Sequence, residues 1–309
     1  MTKVFRIGTR GSRLALAQAK GVQRLLRLKL PRLRTCLVVI KTFGDEFQGV
    51  ELFKKNNIGV FTKRLEEKLL RHEIDLAVHS LKDLPTDLPQ GLRLAAFPKR
   101  LDPSDVLISK QRFSILDLPI GASVGAGSPR RKSQIHLLRP DLELHDIRGN
   151  LDTRVRCVIN EKKYDAIIVA RAGLLRLKKY LKYARVIPPE KLLPAVGQAA
   201  LGLEIRTDDA EAFKIARKLN HPATEKTVLM ERRFLEVLQG GCRVPVGVYS
   251  SIRDGKIYLK TAVFSTKTKG IIKGEILKPI KQYREAGSIL AKRLLKNGAG
   301  KFLKEARDA

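Results

Sequence analysis

The chain has 309 residues and carries 62 Lys and Arg against 31 Asp and Glu, a formal net charge of +31. Hydrophobic residues make up 43% and charged residues 30%, which excludes a disordered chain and suits two or three packed domains. No apolar run approaches the ~18 residues of a membrane-spanning helix, and no apolar leader precedes Val4. The expected setting is therefore cytoplasmic. Three cysteines are too few and too scattered for a disulfide framework or a zinc site, and the five histidines lack metal-ligand spacing. No metal is expected.

Val4–Ile7 reads as a strand, followed by Gly8-Thr9-Arg10-Gly11-Ser12 and a helix with Leu14, Leu16, Ala17, Val22, Leu25 and Leu26 at mostly helical spacing. Cys36–Lys41 is a second strand. Gly44 to Gly59 is charged and without periodicity, the pattern of a loop that could act as a lid. Thr62 caps a helix with Leu65, Leu69 and Leu70. Ile74–Val78 and Leu94–Phe97 are further strands.

After a linker at Pro98–Pro103, the strands Val106–Ile108, Ser123–Gly125, Glu143–Ile147 and Ala166–Ala170 form a second unit like the first in kind. Alternation of strands and helices argues for α/β units built on parallel sheets. Pro188, Pro189 and Pro194 mark another boundary, and Gly202–Thr207 reads as a strand returning to the first domain. From Thr224 the pattern becomes α+β: a helix to Leu238, strands Val246–Ile252 and Ile257–Val263 around Asp254-Gly255, and a terminal helix with Leu290, Leu294, Leu295 and Leu303.

Ligands bind beyond the carboxyl ends of strands in open α/β sheets. Almost every such end here offers a cation, usually beside a hydroxyl: Arg10 with Ser12, Lys82 after Ser80, Arg130 and Arg131 after Ser128, Arg148 with Arg154, and Arg171 with Arg176. Helix N-termini attract anions, and an arginine fork matches a carboxylate with two bonds. The expected ligand is a polyanion. Taken singly, each cation reads as a surface ion-pair residue, and Lys178, Lys179 and Lys182 read as solvated. Asp83 is the acid that stands out among these cations, a helix cap or a carboxylate that meets a ligand N–H or a developing positive charge. Cys242 follows Gly240-Gly241 on a turn; a lone Cys is more often a small buried hydrophobe than a nucleophile, but basic surroundings would lower its thiol pKa, whereas Cys36 and Cys157 look structural. Gly125-Ala126-Gly127 is an incomplete dinucleotide loop, and His79 at a strand end reads as a packing or hydrogen-bonding residue.

The segments Ile7–Gln18, Asp75–Thr86, Ile147–Asn150, Pro194–Gln198 and Gly240–Gly247 together resemble the porphobilinogen deaminase (hydroxymethylbilane synthase) family. The similarity runs in family order from about residue 4 to 305. It implies two periplasmic-binding-protein-like (type II) α/β domains, 1–98 with 199–219 and 102–195, and a smaller α+β domain, 222–309. It implies an active cleft between the first two. The activity implied is that of a transferase condensing four porphobilinogen molecules into linear hydroxymethylbilane with release of ammonia, on the route to porphyrins. The implied cofactor is a dipyrromethane held by a thioether to Cys242.

By the same resemblance Asp83 and Lys82 are catalytic, with Asp83 stabilising a cationic azafulvene. Ser128, Arg130, Arg131 and Gly173 join them in holding the cofactor. Arg10, Ser12, Arg148, Arg154 and Arg176 bind substrate. A cytoplasmic monomer with no nucleic-acid or membrane partner is expected. Ala126-Gly127-Ser128-Pro129, Arg171 and Ala199 depart from the family pattern, and the chemistry does not require the full positive charge. A non-catalytic polyanion-binding protein would explain the charge but not Asp83 or the Gly-Gly-Cys turn. A solute-binding protein would explain the paired units but would be exported.

Overall fold

The computed structural model describes residues 4–40, 62–239 and 244–308. The expected lid at Gly44–Gly59 and the Gly-Gly-Cys turn with Cys242 lie outside the described residues. In chain order the elements begin with β1 (Phe5–Arg10), α1 (Arg13–Lys29), β2 (Thr35–Ile40), α2 (Lys63–Leu70), β3 (Leu76–Ser80) and β4 (Leu92–Ala96). Then come β5 (Asp105–Ser109), β6 (Ser123–Gly125), α3 (Pro129–Leu138), β7 (Glu143–His145), α4 (Leu151–Ile159), β8 (Ala166–Ala170), α5 (Arg171–Leu177) and β9 (Ala184–Ile187). The chain closes with β10 (Leu201–Arg206), α6 (Ala210–Arg217), α7 (Pro222–Val237), β11 (Val246–Arg253), β12 (Lys256–Phe264), β13 (Ile271–Pro279), α8 (Tyr283–Leu294) and α9 (Gly300–Arg307).

Two compact units divide the chain. The first, Met1–Leu101 with Ala200–Glu225, holds a sheet of order β2-β1-β3-β10-β4. β1 pairs in parallel with β2 and β3, while β10 runs antiparallel between β3 and β4. The all-parallel expectation is thus corrected. The second unit, Asp102–Ala199 with Lys226–Ala309, repeats the arrangement as β7-β6-β8-β5-β9, where β5 is the antiparallel strand. In each sheet the antiparallel strand is the one reached by a crossing segment, β10 in the first and β5 in the second, and it runs against the local βα order.

The residues expected of the third domain share the second unit. Their antiparallel sheet, β11-β12-β13, is covered by α7, α8 and α9 through Met230, Phe234, Leu290, Leu294 and Leu303. It is joined to the preceding sheet's unit where Leu193 packs on Ala262 and Phe264, and where the Val248 N–H donates to the Pro194 carbonyl at 2.7 Å.

Local sequence explains most elements. In α1 the Ser12 hydroxyl accepts from the Ala15 N–H at 3.3 Å, and Ala15, Ala19, Val22 and Leu26 turn one face into the core. Arg27 and Lys29 suit its C-terminal end. The apolar runs of β5 and β8 are buried on both faces, as interior strands must be. Thr62 precedes α2 but its side chain makes no capping bond to a backbone N–H, a departure from the expected cap. The terminal helix is two, because Gly298 takes φ +94 between α8 and α9.

Candidate functional site

Within the first unit, β1 and β3 are parallel neighbours, so their carboxyl ends lie side by side at one sheet edge. Arg10 ends β1, and Ser12 caps the helix that follows. Beyond β3 the chain makes a single 3-10 turn, Leu81–Asp83, whose first N–H donates to the Ala200 carbonyl at 3.1 Å. Lys82 is half-buried and Asp83 is exposed. No helix follows; Leu84 is extended. The capping role considered for Asp83 therefore has no helix to serve, and the residue stands exposed at the carboxyl edge of the sheet.

Two contacts, one part-buried and one buried, fix this turn from behind. Gln18 of α1 donates to the Ser80 hydroxyl at 2.8 Å, tying α1 to the end of β3. His79 Nε2 lies 2.8 Å from Glu204 Oε2 of β10, both side chains fully enclosed, the hydrogen-bonding role expected of His79. Glu66 of α2 completes the group. Burial pushes its carboxyl up, and Glu204 adds to that.

Within the second unit, the carboxyl ends of the parallel strands β6, β7 and β8 again share an edge. Ser128 precedes α3 with Pro129 at its first position, and its hydroxyl makes no capping bond. Arg130 and Arg131 are buried. Arg130 Nη2 donates to Asp105 Oδ2 at 2.8 Å and Arg131 Nη2 to Asp105 Oδ1 at 2.7 Å. Gln198 Nε2 adds a third donor to Asp105 at 3.0 Å. Burial alone would push the Asp105 carboxyl up, but the two guanidinium groups outweigh it and hold it well below the usual range. The forks read in the sequence as open toward a ligand are thus turned inward, each with Nη2 on an internal carboxylate. The remaining Nη1 atoms meet the Leu193 and Ile168 carbonyls. The Nε donors of Arg130 and Arg131 are buried and make no hydrogen bond.

Past β7, Gly149 takes φ +98 and Asn150 caps α4, accepting from the Thr153 N–H at 3.0 Å. Arg148 is exposed there. Arg154 donates from Nε to the Gly149 carbonyl at 2.8 Å, and its Nη1 would lie 3.6 Å from a Cβ placed on Gly127. That same Cβ would fall 2.5 Å from the Ile147 carbonyl. Gly127 is accordingly required by backbone packing between the ends of β6 and β7, which accounts for the incomplete dinucleotide motif.

After β8, Gly173 is buried in α5 and Arg176 is largely enclosed, with Nη2 donating to the Ala199 carbonyl at 2.6 Å. Burial pushes the Arg176 guanidinium down to about 10, and no carboxylate pairs with it among the described residues. An arriving anion would reverse that penalty. Arg171 is spoken for by Asp102.

Residues 5–214 match the family model for "porphobilinogen deaminase, dipyromethane cofactor binding domain", and residues 225–296 match that for its C-terminal domain. The chain belongs to the porphobilinogen deaminase family. Curated members are similar from end to end. The porphobilinogen deaminase of Chlorobium luteolum is 46% identical over 311 residues, covering 99% of each chain. That of Syntrophobacter fumaroxidans is 42% identical over 303 residues, covering 98% of each. Among solved structures, the periplasmic aliphatic sulphonate binding protein of Escherichia coli aligns with 15% identity and a TM-score of 0.39, over 77% of this chain and 70% of that one.

For a family whose model is a cofactor-binding domain, the donor set offered here has a definite chemistry. Among the described residues, the groups at the two sheet edges are mostly cations, hydroxyls and N–H donors, with Asp83 in the first unit and Asp146, paired with Lys132, in the second as exposed carboxylates. Arg176, largely enclosed and without a carboxylate partner among the described residues, suits a carboxylate group on a pyrrole chain. Sequence reasoning missed Asp105 and Gln198, which orient that set. The available signal was an acid starting an otherwise apolar strand, Asp105-Val106-Leu107-Ile108, in a chain with twice as many cations as anions.

Proposed function

We propose that the chain is a transferase that joins four porphobilinogen molecules head to tail, releasing one ammonia for each, and frees the four-ring chain by addition of one water as linear hydroxymethylbilane. Family membership over the whole chain supports this reading, and the observation that carries it is Asp83, an exposed carboxylate at the same sheet edge as Arg10 and Lys82. We assign the three-domain division 1–98 with 199–219, 102–195 and 222–309. We assign a monomer in the cytoplasm, in keeping with Cys36 and Cys157 being free thiols.

Each porphobilinogen ring carries an acetate and a propionate. A growing chain is therefore a polyanion whose charge increases with every addition. Arg10, Ser12, Arg148, Arg154 and Arg176 bind these carboxylates, and Ser128, Arg130, Arg131, Lys82 and Gly173 hold the cofactor end. Cys242 is the attachment point. When bound, the dipyrromethane supplies the free pyrrole position that receives the first substrate ring.

At the reacting ring the protonated aminomethyl group leaves as ammonia, taking the carbon–nitrogen bonding electrons. Positive charge then spreads over the methylene and the pyrrole nitrogen. Asp83 accepts the pyrrole N–H and opposes that charge, the electrostatic help that counts most when it is aimed at developing charge. Lys82, beside it, holds a substrate carboxylate. The carbon–carbon bond forms to the next ring, and that ring loses a proton to regain aromaticity.

Asp83→Asn tests the assignment. The variant should fold, carry the two-pyrrole adduct by intact mass, and turn over ~100-fold more slowly or worse, since such terms are worth ~3 kcal/mol. Near-normal turnover would remove Asp83 from catalysis. In parallel, Cys242→Ala should lose the adduct mass; retention would move the attachment to Cys36 or Cys157.

A further inference from the structure

The sequence holds no Asp or Glu before Asp45. Within that stretch α1 and the turn after it expose Lys20, Arg24, Arg27, Lys29, Arg32 and Arg34. Lys20, Arg24 and Arg27 stand at i, i+4 and i+7, one stripe on the side of the helix opposite Ala19, Val22 and Leu26. None of the six enters an ion pair among the described residues. They also lie away from the carboxyl edge that carries Arg10 and Asp83, since α1 runs from that edge to the far end of the sheet. Carboxylate chemistry at the site gives no reason for them.

Two leucines interrupt this charge. Leu28 is 72% exposed and Leu25 38%, beside Arg24, Arg27 and Lys29. α6 packs into the same core cluster as α1 through Ala212, Ile215 and Ala216, and exposes Lys214 and Lys218. The face is thus a layer of helix carrying cations with apolar tips among them.

We propose that this face docks the protein on an anionic phospholipid surface. The apolar stripe of α1 is consumed by the core, so the helix does not insert. Phosphate-bearing headgroups meet the cations, while Leu25 and Leu28 reach the acyl boundary. A nucleic acid fits less well. α1 and the turn after it have no aromatic side chain to stack a base, and a phosphate backbone would leave Leu28 against charge.

The test is sedimentation of the full chain with vesicles of phosphatidylcholine containing roughly a third phosphatidylglycerol, against pure phosphatidylcholine vesicles. Binding is expected only to the anionic vesicles, weakening as salt rises. Each cation near such a surface is worth about fivefold in partitioning, so Lys20→Gln/Arg24→Gln/Arg27→Gln should lose about a hundredfold. Arg32→Gln/Arg34→Gln should lose about twenty-fivefold on the same footing. Leu25→Ser/Leu28→Ser should lose severalfold at unchanged charge. Porphobilinogen turnover, measured without vesicles, should be retained in all three.

Equal partitioning onto both vesicle types, no partitioning at all, or undiminished binding by the two charge variants overturns the proposal. So does tighter binding to a fluorescent single-stranded RNA or duplex DNA in the same buffer with the leucine variant unaffected, which would make the face a nucleic-acid surface.

Discussion

Asp105 is the residue on which the second sheet's cation cluster depends. Two buried guanidinium groups and one amide converge on it, so removing its charge strands Arg130 and Arg131 in a dry interior. Breaking a buried pair of this kind costs ~3–5 kcal/mol. Asp105→Asn should therefore lower the denaturant midpoint strongly at neutral pH. A carboxyl held below its unfolded value, ~3.9, contributes stability above that value and loses it as pH falls through the folded value. The gap between wild type and Asp105→Asn should thus be widest at pH 6–7 and narrow below about pH 4. Ala199, whose carbonyl receives Arg176, sits at φ +70, where a Cβ is strained. Ala199→Gly should raise stability by ~0.5–1 kcal/mol, against the usual loss for that exchange. Both residues illustrate what the sequence could show. Arg130, Arg131 and Arg176 were legible as cations after strands, because a strand end is a local pattern. Their partners were not, because Asp105, Leu193 and Ala199 are far away along the chain.

Elements tell the same story at longer range. Most strands and helices follow from period and caps, and their bounds shift by a residue or two. β9 was missed: Ala184–Ile187 is short, and two of its four residues face solvent, so neither alternation nor an apolar run announces it. The antiparallel course of β5 and β10 was also illegible, since direction depends on where the chain crosses between units. Gly127 is the element-scale counterpart of Asp105. It lets the start of α3 approach the end of β7, with Arg154 close by. Gly127→Ala must move the Ile147 backbone, which costs ~1–3 kcal/mol and shifts two strand ends at once. Gly8→Ala would meet side-chain ends rather than backbone, Ile74 Cδ1 at 2.3 Å and Leu65 Cδ2 at 3.2 Å. Thermal melts should rank Gly127→Ala as the more damaging, and only that variant should also weaken retention of the two-pyrrole adduct.

For the whole molecule the governing quantity is the charge of +31. Self-repulsion on this scale opposes compaction and is screened by salt, with a Debye length near 10 Å at 0.1 M. The melting temperature should climb by several degrees between about 20 mM and 0.5 M sodium chloride, where a protein near neutrality would change little. A flat response would mean that ion pairing already balances the cations locally. Only a minority of them have carboxylate partners among the described residues, Arg6 with Asp75, Arg206 with Asp209 and Arg139 with Asp141 being examples.

The placement of β10 bears on the order in which the newborn chain can fold. During synthesis on the ribosome, β1 to β4 emerge first, yet β10 must lie between β3 and β4 before that sheet can close. Until Leu201–Arg206 leaves the exit tunnel, β3 is an open edge and β4 has no strand to join. The sheet of residues 105–187 needs no such late piece and can close on its own contiguous stretch. The N-terminal half is thus made first and finished second. Through that interval its bare strand edges are what a nascent-chain chaperone would have to shield from aggregation.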